Sequence, residues 1–447
     1  MEKEAYSRPM VIPFIVMVFV VMLISFVLKT NTYEPVLNIS VGDTVSPEMF
    51  FPGFMTGNIS YSVGETDAVS GDHKAVNEMS CDAGSSSAVF KYPGKRLLEF
   101  KLFGFIPLSN IVINVMDPVK VIPGGQSIGV MLHSKGVMVV GLSPVTDRAG
   151  KRINPAADAG IMVGDVILSI NGIMVKSDEQ VKALVSLGKE NTLTIVLKRG
   201  SNNIKVAVKP VICSETGSYR IGLYVRDGTA GVGTLSFYHP SSRCFGALGH
   251  GINDADTAMK IDMAEGKVVG ATVKGIHPGR KGKPGEKVGM FNGSMGITGS
   301  IVKNTPFGIF GELDKPVVNP FYKEALPVAF SYQIKKGPAE IMTVLEDNRV
   351  EKYSIEIQEI LSPPVRDGKG LIIKVTDKKL LQKSGGIIQG MSGSPIIQNG
   401  MLVGAVTHVF VNDPTRGYGV LAEWMLQEAG ILHSDVNKGK GIRQKAA

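Results

Sequence analysis

Cysteine is scarce and tryptophan nearly absent: the 447 residues hold three of the first and one of the second. Cys81, Cys213 and Cys244 are scattered, with no Cys-x-x-Cys. At most one bridge could form, and neither a disulfide framework nor a zinc cluster is implied. All three read as small apolar core residues. No His-Glu-x-x-His is present, which weakens a metal-dependent hydrolase, although His250 with Asp254 and Asp256 keeps that reading open. Charged residues make up only 20% of the chain, with a net charge of +8. The basic residues fall in scattered pairs (Lys281 and Lys283, Lys335 and Lys336, Lys378 and Lys379), and no Arg-rich helix gathers them. A solvated surface, not a nucleic-acid interface, fits that spread.

What the chain has in plenty is glycine, 53 residues, in a sequence that is 44% apolar. That composition suits many short strands and turns, and the length allows two or three cores. One long apolar run stands apart. Residues 9–28 carry no charge, and about twenty such residues at 1.5 Å rise cross a bilayer's hydrocarbon core. Lys3 and Arg8 precede the run, and after Lys29 no Lys or Arg follows until Lys74. The positive-inside bias therefore predicts a cytoplasmic amino terminus, an uncleaved signal anchor over 1–30, and the bulk outside.

Residues 31–118 are rich in Ser, Gly, Asn, Thr and Asp, with strand-like runs near their end. They read as a juxtamembrane stalk leading into a small all-β element. Residues 119–212 show another pattern. Pro123-Gly124-Gly125-Gln126-Ser127-Ile128-Gly129-Val130 precedes a strand, and Val163-Gly164-Asp165-Val166-Ile167-Leu168 precedes helical spacing over 178–187. This stretch resembles a PDZ domain of bacterial proteases. The resemblance implies that the amides of Ser127, Ile128, Gly129 and Val130 hold a peptide's carboxylate while a strand edge pairs with it. From 213 to 447, apolar runs alternate with glycine turns, which predicts an all-β barrel architecture closed by one helix over 421–429.

The rest is organised around Gly390-Met391-Ser392-Gly393-Ser394-Pro395. A serine between glycines is followed by an apolar run, Asn399-Gly400, and a second apolar run. Asn-Gly is the strongest short hairpin signal, because both central residues of a type I′ turn need positive φ. Ser392 thus sits at the root of a hairpin, with the amides of Gly390 and Ser392 placed to receive an oxyanion. A plain glycine-rich turn is the other reading of the same residues. Of the seven histidines, His250 in Ala247-Leu248-Gly249-His250-Gly251 is the best placed base, since flanking glycines admit close neighbours.

The turn around Ser392 resembles that of chymotrypsin-like serine proteases. The runs 375–420, 237–240 and 245–252 together resemble the stage IV sporulation protein B peptidase family. That resemblance implies a chymotrypsin-like double β-barrel and a serine endopeptidase with no cofactor and no metal. It makes His250 the base, Ser392 the nucleophile and Asp377 the orienting acid. Asp254 and Asp256 remain rival acids, and Asp377 could equally cap a helix before Lys378-Lys379-Leu380-Leu381. The resemblance further implies self-cleavage in trans, cleavage of a regulatory subunit of an intramembrane metalloprotease complex, and residence between the two forespore membranes. The class alternative is a membrane-tethered PDZ adaptor without activity.

Overall fold

The computed structural model describes residues 36–65, 74–75, 87–293, 296–361 and 368–432. The apolar run 9–28, with Cys81, His73 and His433, lies outside the described residues. Within them, no helix is long and apolar enough to cross a membrane. The chain divides into two compact units between Val119 and Lys120.

The first unit is a five-stranded sheet ordered Val36–Ser40, Ile106–Met116, Gly94–Leu102, Ile59–Glu65 and Lys74–Ala75. Its first pair is parallel and the others antiparallel. Ile39, Leu98, Phe100 and Ile113 alternate inward to form its core.

The second unit is built on two rings of six strands. The first ring uses β1 (Ser127–Leu142), β5 (Leu223–Tyr238), β6 (Cys244–Ala247), β7 (Met263–His277), β9 (Thr298–Thr305) and β10 (Gly308–Leu313). Ladders run from β1 to β7, β9, β10, β6 and β5, and then back to β1, so no edge remains. Ile128, Val130, Leu235, Phe245, Val268 and Ile309 fill it. The second ring is a closed barrel of β11 (Gly337–Val344), β12 (Val350–Ile360), β13 (Leu371–Val375), β16 (Asp413–Leu421), β15 (Met401–Phe410) and β14 (Pro395–Gln398). Along β12, Tyr353, Ile355 and Ile357 point in, while Ser354 and Glu356 between them are exposed. This is the two-residue period of a half-buried strand.

The PDZ-like module grows out of the first ring. It consists of β2 (Val166–Ile170), α1 (Asp178–Gly188), β3 (Leu193–Arg199) and β4 (Asn202–Val208), around a core of Val137, Ile167, Val181, Ile195 and Leu197. Both β1 and β5 are 16 residues long and serve two cores. Their stretches 127–133 and 228–234 pair inside the ring, while 138–142 and 223–226 pair in the module. The module is therefore inserted in the ring: the expected border at 119 coincides with the division of the two units, while the expected PDZ span 119–212 takes in ring residues 127–133 and stops short of module residues 223–226. The carboxylate-binding role expected of Ser127, Ile128, Gly129 and Val130 is corrected by the same pairing. Ile128, Gly129 and Val130 pair with β5 on one side and β7 on the other, Ser127 pairs with Thr234, and all four are buried. The amides of Ile128, Gly129 and Val130, spent in two ladders, have nothing left for a ligand, and Ser127 alone makes no carboxylate cradle.

Candidate active site

Asn399 and Gly400 adopt φ of 51° and 76°, the positive pair a type I′ turn demands, and Gln398 pairs with Met401 across them. The hairpin β14–β15 thus forms where the sequence predicts it, with Ser392 in the loop that enters it. Gly393 has a φ of 94°, and a Cβ there would lie 2.0 Å from the Thr234 carbonyl oxygen and 2.5 Å from the Leu248 nitrogen. Only glycine lets the loop press this closely onto the first ring.

β15 lies against both candidate catalytic side chains, and no hydrogen bond joins Ser392 to His250 directly. The Ser392 Oγ donates to the carbonyl of Thr407 at 2.6 Å. A Cβ on Gly249 would stand 2.8 Å from Thr407 Cγ2, and the ring of the next residue, His250, lies 4.8 Å from that of His408. Two successive residues of one strand therefore meet the serine on one side and the Gly249–His250 turn on the other. The histidine's Nδ1 bonds the carbonyl of Gly251 at 2.8 Å. A carbonyl can only accept, so Nδ1 carries the proton and Nε2 keeps its lone pair. Burial pulls the imidazole's pKa below its ordinary value, outweighing the upward pull of the Gly251 carbonyl. That shift favours the neutral ring, the form a general base needs.

The amides expected to form an oxyanion hole carry no acceptor among the described residues, and their neighbours explain why. The Gln389 carbonyl accepts from the Lys287 amide at 2.9 Å, so the amide of Gly390, on the same peptide plane, faces the opposite way. The Met391 carbonyl accepts from the Ser394 amide at 2.9 Å, which turns the amide of Ser392 outward in the same manner. The Gly390 carbonyl is held inward by the Thr234 hydroxyl at 2.7 Å.

Asp377 lies elsewhere. It is the N-cap of α2 (Lys378–Ser384): one carboxylate oxygen accepts from the Leu380 amide at 2.9 Å, the other from the Ser354 amide at 3.4 Å. No bond joins it to His250, so the expected orienting role is corrected to the capping role that its place before Lys378 equally suggests. Asp254 and Asp256 do not replace it, because both bond Arg226, at 3.2 and 2.6 Å. Burial pushes the Asp254 carboxyl up, but bonds from Thr257 and the Asp256 amide, with Arg226, more than offset it and hold it below its usual range. The group that orients the His250 ring here is the Gly251 carbonyl. Asp377→Asn preserves the cap and is expected to leave steady-state turnover within about threefold of wild type. In an orienting role, the same change would cost about ten-thousandfold.

Three site residues carry no signal in the sequence: Thr234, Thr343 and Lys287. On β8 (Glu286–Phe291), Lys287 is buried while Val288 and Met290 are exposed, which inverts the ordinary pattern. No periodicity rule could have singled it out.

Comparison with known proteins adds the family. Residues 217–426 match the model of the SpoIVB peptidase S55 family, and residues 154–199 match a PDZ domain. Serine protease HTRA1 of Xenopus laevis is 35% identical over 78 residues, 17% of this chain and 15% of that protein. The chain thus matches less than a fifth of that relative's length. Among solved structures it is similar to the PDZ domain of an SdrC-like protein from Listeria monocytogenes, at 28% identity and a TM-score of 0.17, over 20% of this chain and 87% of the other. It is also similar to the active form of Rv3671c protease from M. tuberculosis, at 16% identity and a TM-score of 0.26, over 45% and 75% of the two chains. The two matches give this chain a SpoIVB peptidase S55 domain over 217–426 and a PDZ domain over 154–199.

Proposed function

We propose that this protein is a membrane-tethered sporulation endopeptidase of chymotrypsin-like double-barrel type. In this reading it cleaves itself in trans, and it cleaves a regulatory protein of an intramembrane metalloprotease complex to signal from forespore to mother cell. The observation that carries the catalytic part is that Ser392, beside two unengaged amides, bonds Thr407 while His250 packs on the next residue, His408. Ser392 is the nucleophile. Its hydroxyl turns from the Thr407 carbonyl to the Nε2 of His250, gives up its proton there and attacks a peptide carbonyl. The amides of Gly390 and Ser392 receive the developing oxyanion, at about 3 kcal/mol for each donor. His250 then returns the proton to the leaving amine, and water repeats the sequence on the acyl-enzyme. The nucleophile loop bonds β15 as far as Val406 and the Thr407 carbonyl, which supports the stretch from His408 to Asn412 as the place where a substrate strand pairs.

The uncharged run 9–28 and the Lys and Arg ahead of it support the anchor, with the bulk outside the cytoplasm. The polar stretch 31–118 supports a cleavage region. Incubating active full-length chain with its labelled Ser392→Ala form, and mapping the new amino termini, tests the reading. Cuts between 31 and 118 that need the active chain are expected. A Ser392→Ala chain clipped there equally fast on its own would sink self-cleavage.

A further inference from the structure

Lys287 is buried, and among the described residues no carboxylate pairs with it. Its Nζ meets two hydroxyls, Thr343 Oγ1 at 2.8 Å and Thr234 Oγ1 at 3.4 Å. Glu286, next in the chain, is exposed and bonds His277 instead. An unpaired buried ammonium is costly, and a protein keeps one where it does something that a methionine could not.

Its surroundings show what that is. The Lys287 amide holds the Gln389 carbonyl, and its stem lies 3.1 Å from where a Cβ on Gly390 would be. Its Nζ donates to the Thr234 hydroxyl, which in turn donates to the Gly390 carbonyl. Both peptides flanking Gly390 are thus held by this one residue, the first directly and the second through Thr234. We infer that Lys287 is a positioning residue for the oxyanion loop: its backbone amide fixes the peptide whose Gly390 N–H faces the substrate, and its ammonium, relayed by Thr234, keeps the carbonyl of the next peptide turned inward. The inference rests on the oxyanion role proposed for the Gly390 amide. A positive charge behind the loop also favours a negative oxygen in front of it, in a site where water does not screen the pair. Burial pushes the Lys287 pKa down to about 7, so the charge that does this is lost just above neutrality.

The test is the rate at which a fluorophosphonate labels Ser392 in the full-length chain, because phosphonylation needs both the activated serine and the oxyanion amides. Lys287→Met keeps the stem and the backbone bond but removes the ammonium. Its limiting labelling rate is expected to fall about 10- to 100-fold, with the probe's half-saturation little changed. Thr234→Val should fall in the same way, and Thr234→Ser should recover. The wild-type rate should decline from pH 7 to 9, whereas the Lys287→Met rate should stay flat there. A Lys287→Met chain labelled as fast as wild type, or a wild-type rate that still rises through pH 9, overturns the inference. If Lys287→Met does not fold, equal rates for wild type and Thr234→Val overturn it. A wild-type chain that takes no label at Ser392 overturns the nucleophile assignment, and this inference with it.

Discussion

Alanine at Ser392 or at His250 is expected to lower turnover of any peptide the wild-type chain cleaves by roughly a millionfold, and the double variant by no more. In the proposed mechanism the two side chains act as one unit. Without the hydroxyl there is nothing for the imidazole to deprotonate, and without the imidazole's Nε2 the hydroxyl stays near its free, weakly nucleophilic state. What survives is the background supplied by the amides of Gly390 and Ser392 and by substrate binding. Stability should hardly respond to the serine change. Ser392 is half-buried, and its hydroxyl makes one bond, to the Thr407 carbonyl, so its loss costs about 1 kcal/mol. Single-turnover cleavage and a urea titration on the same samples separate the two effects. A Ser392→Ala chain with more than a few per cent of wild-type turnover would remove Ser392 from the chemistry.

How much of this was legible beforehand depends on how far apart the interacting residues are in sequence. The hairpin that carries Ser392 is written in adjacent residues, because Asn399-Gly400 between apolar runs has few other conformations open to it. The cap at Asp377 is local too, and sequence weighed it correctly as one of two readings. The PDZ insertion was not legible. Ser127–Leu142 reads as one strand, and nothing in it marks that Val130 lies opposite Gly231 and Val268 while Leu142 lies opposite Leu223. A glycine-rich approach to a strand looks the same whether it will hold a peptide terminus or turn into a barrel, and only the partners, a hundred residues away, decide. Lys287 is the extreme case. Its meaning comes from Thr234, Thr343 and Gly390, on three other segments, and in the sequence it resembles any solvated lysine.

That lysine supplies the second large effect, with a sign opposite to intuition. Lys287→Met should make the fold more stable at pH 6 while making the enzyme slower. The folded pKa of about 7 lies below the ordinary value of 10.5, so between those limits the unfolded chain binds the extra proton. Wild-type stability therefore rises with pH across that window, and the penalty is greatest below pH 7, where the folded state must hold the charge. A shift of that size corresponds to about 5 kcal/mol at low pH. Methionine escapes it but strips the Thr343 and Thr234 hydroxyls of a donor, at about 1–2 kcal/mol together. A net gain of roughly 3 kcal/mol at pH 6 follows, shrinking to nothing by about pH 10. Trp424, the single tryptophan, makes the measurement direct: it sits on the helix Ala422–Ala429, packed on the second barrel and edge-on to Phe307 at 5.9 Å. Its fluorescence in urea reports unfolding of the unit that holds the site. A purely structural lysine would give a variant less stable at both pH values. A buried charge kept for catalysis gives one that is sturdier in acid and slower, because the stability forgone is what keeps a cation behind the Gly390 peptide.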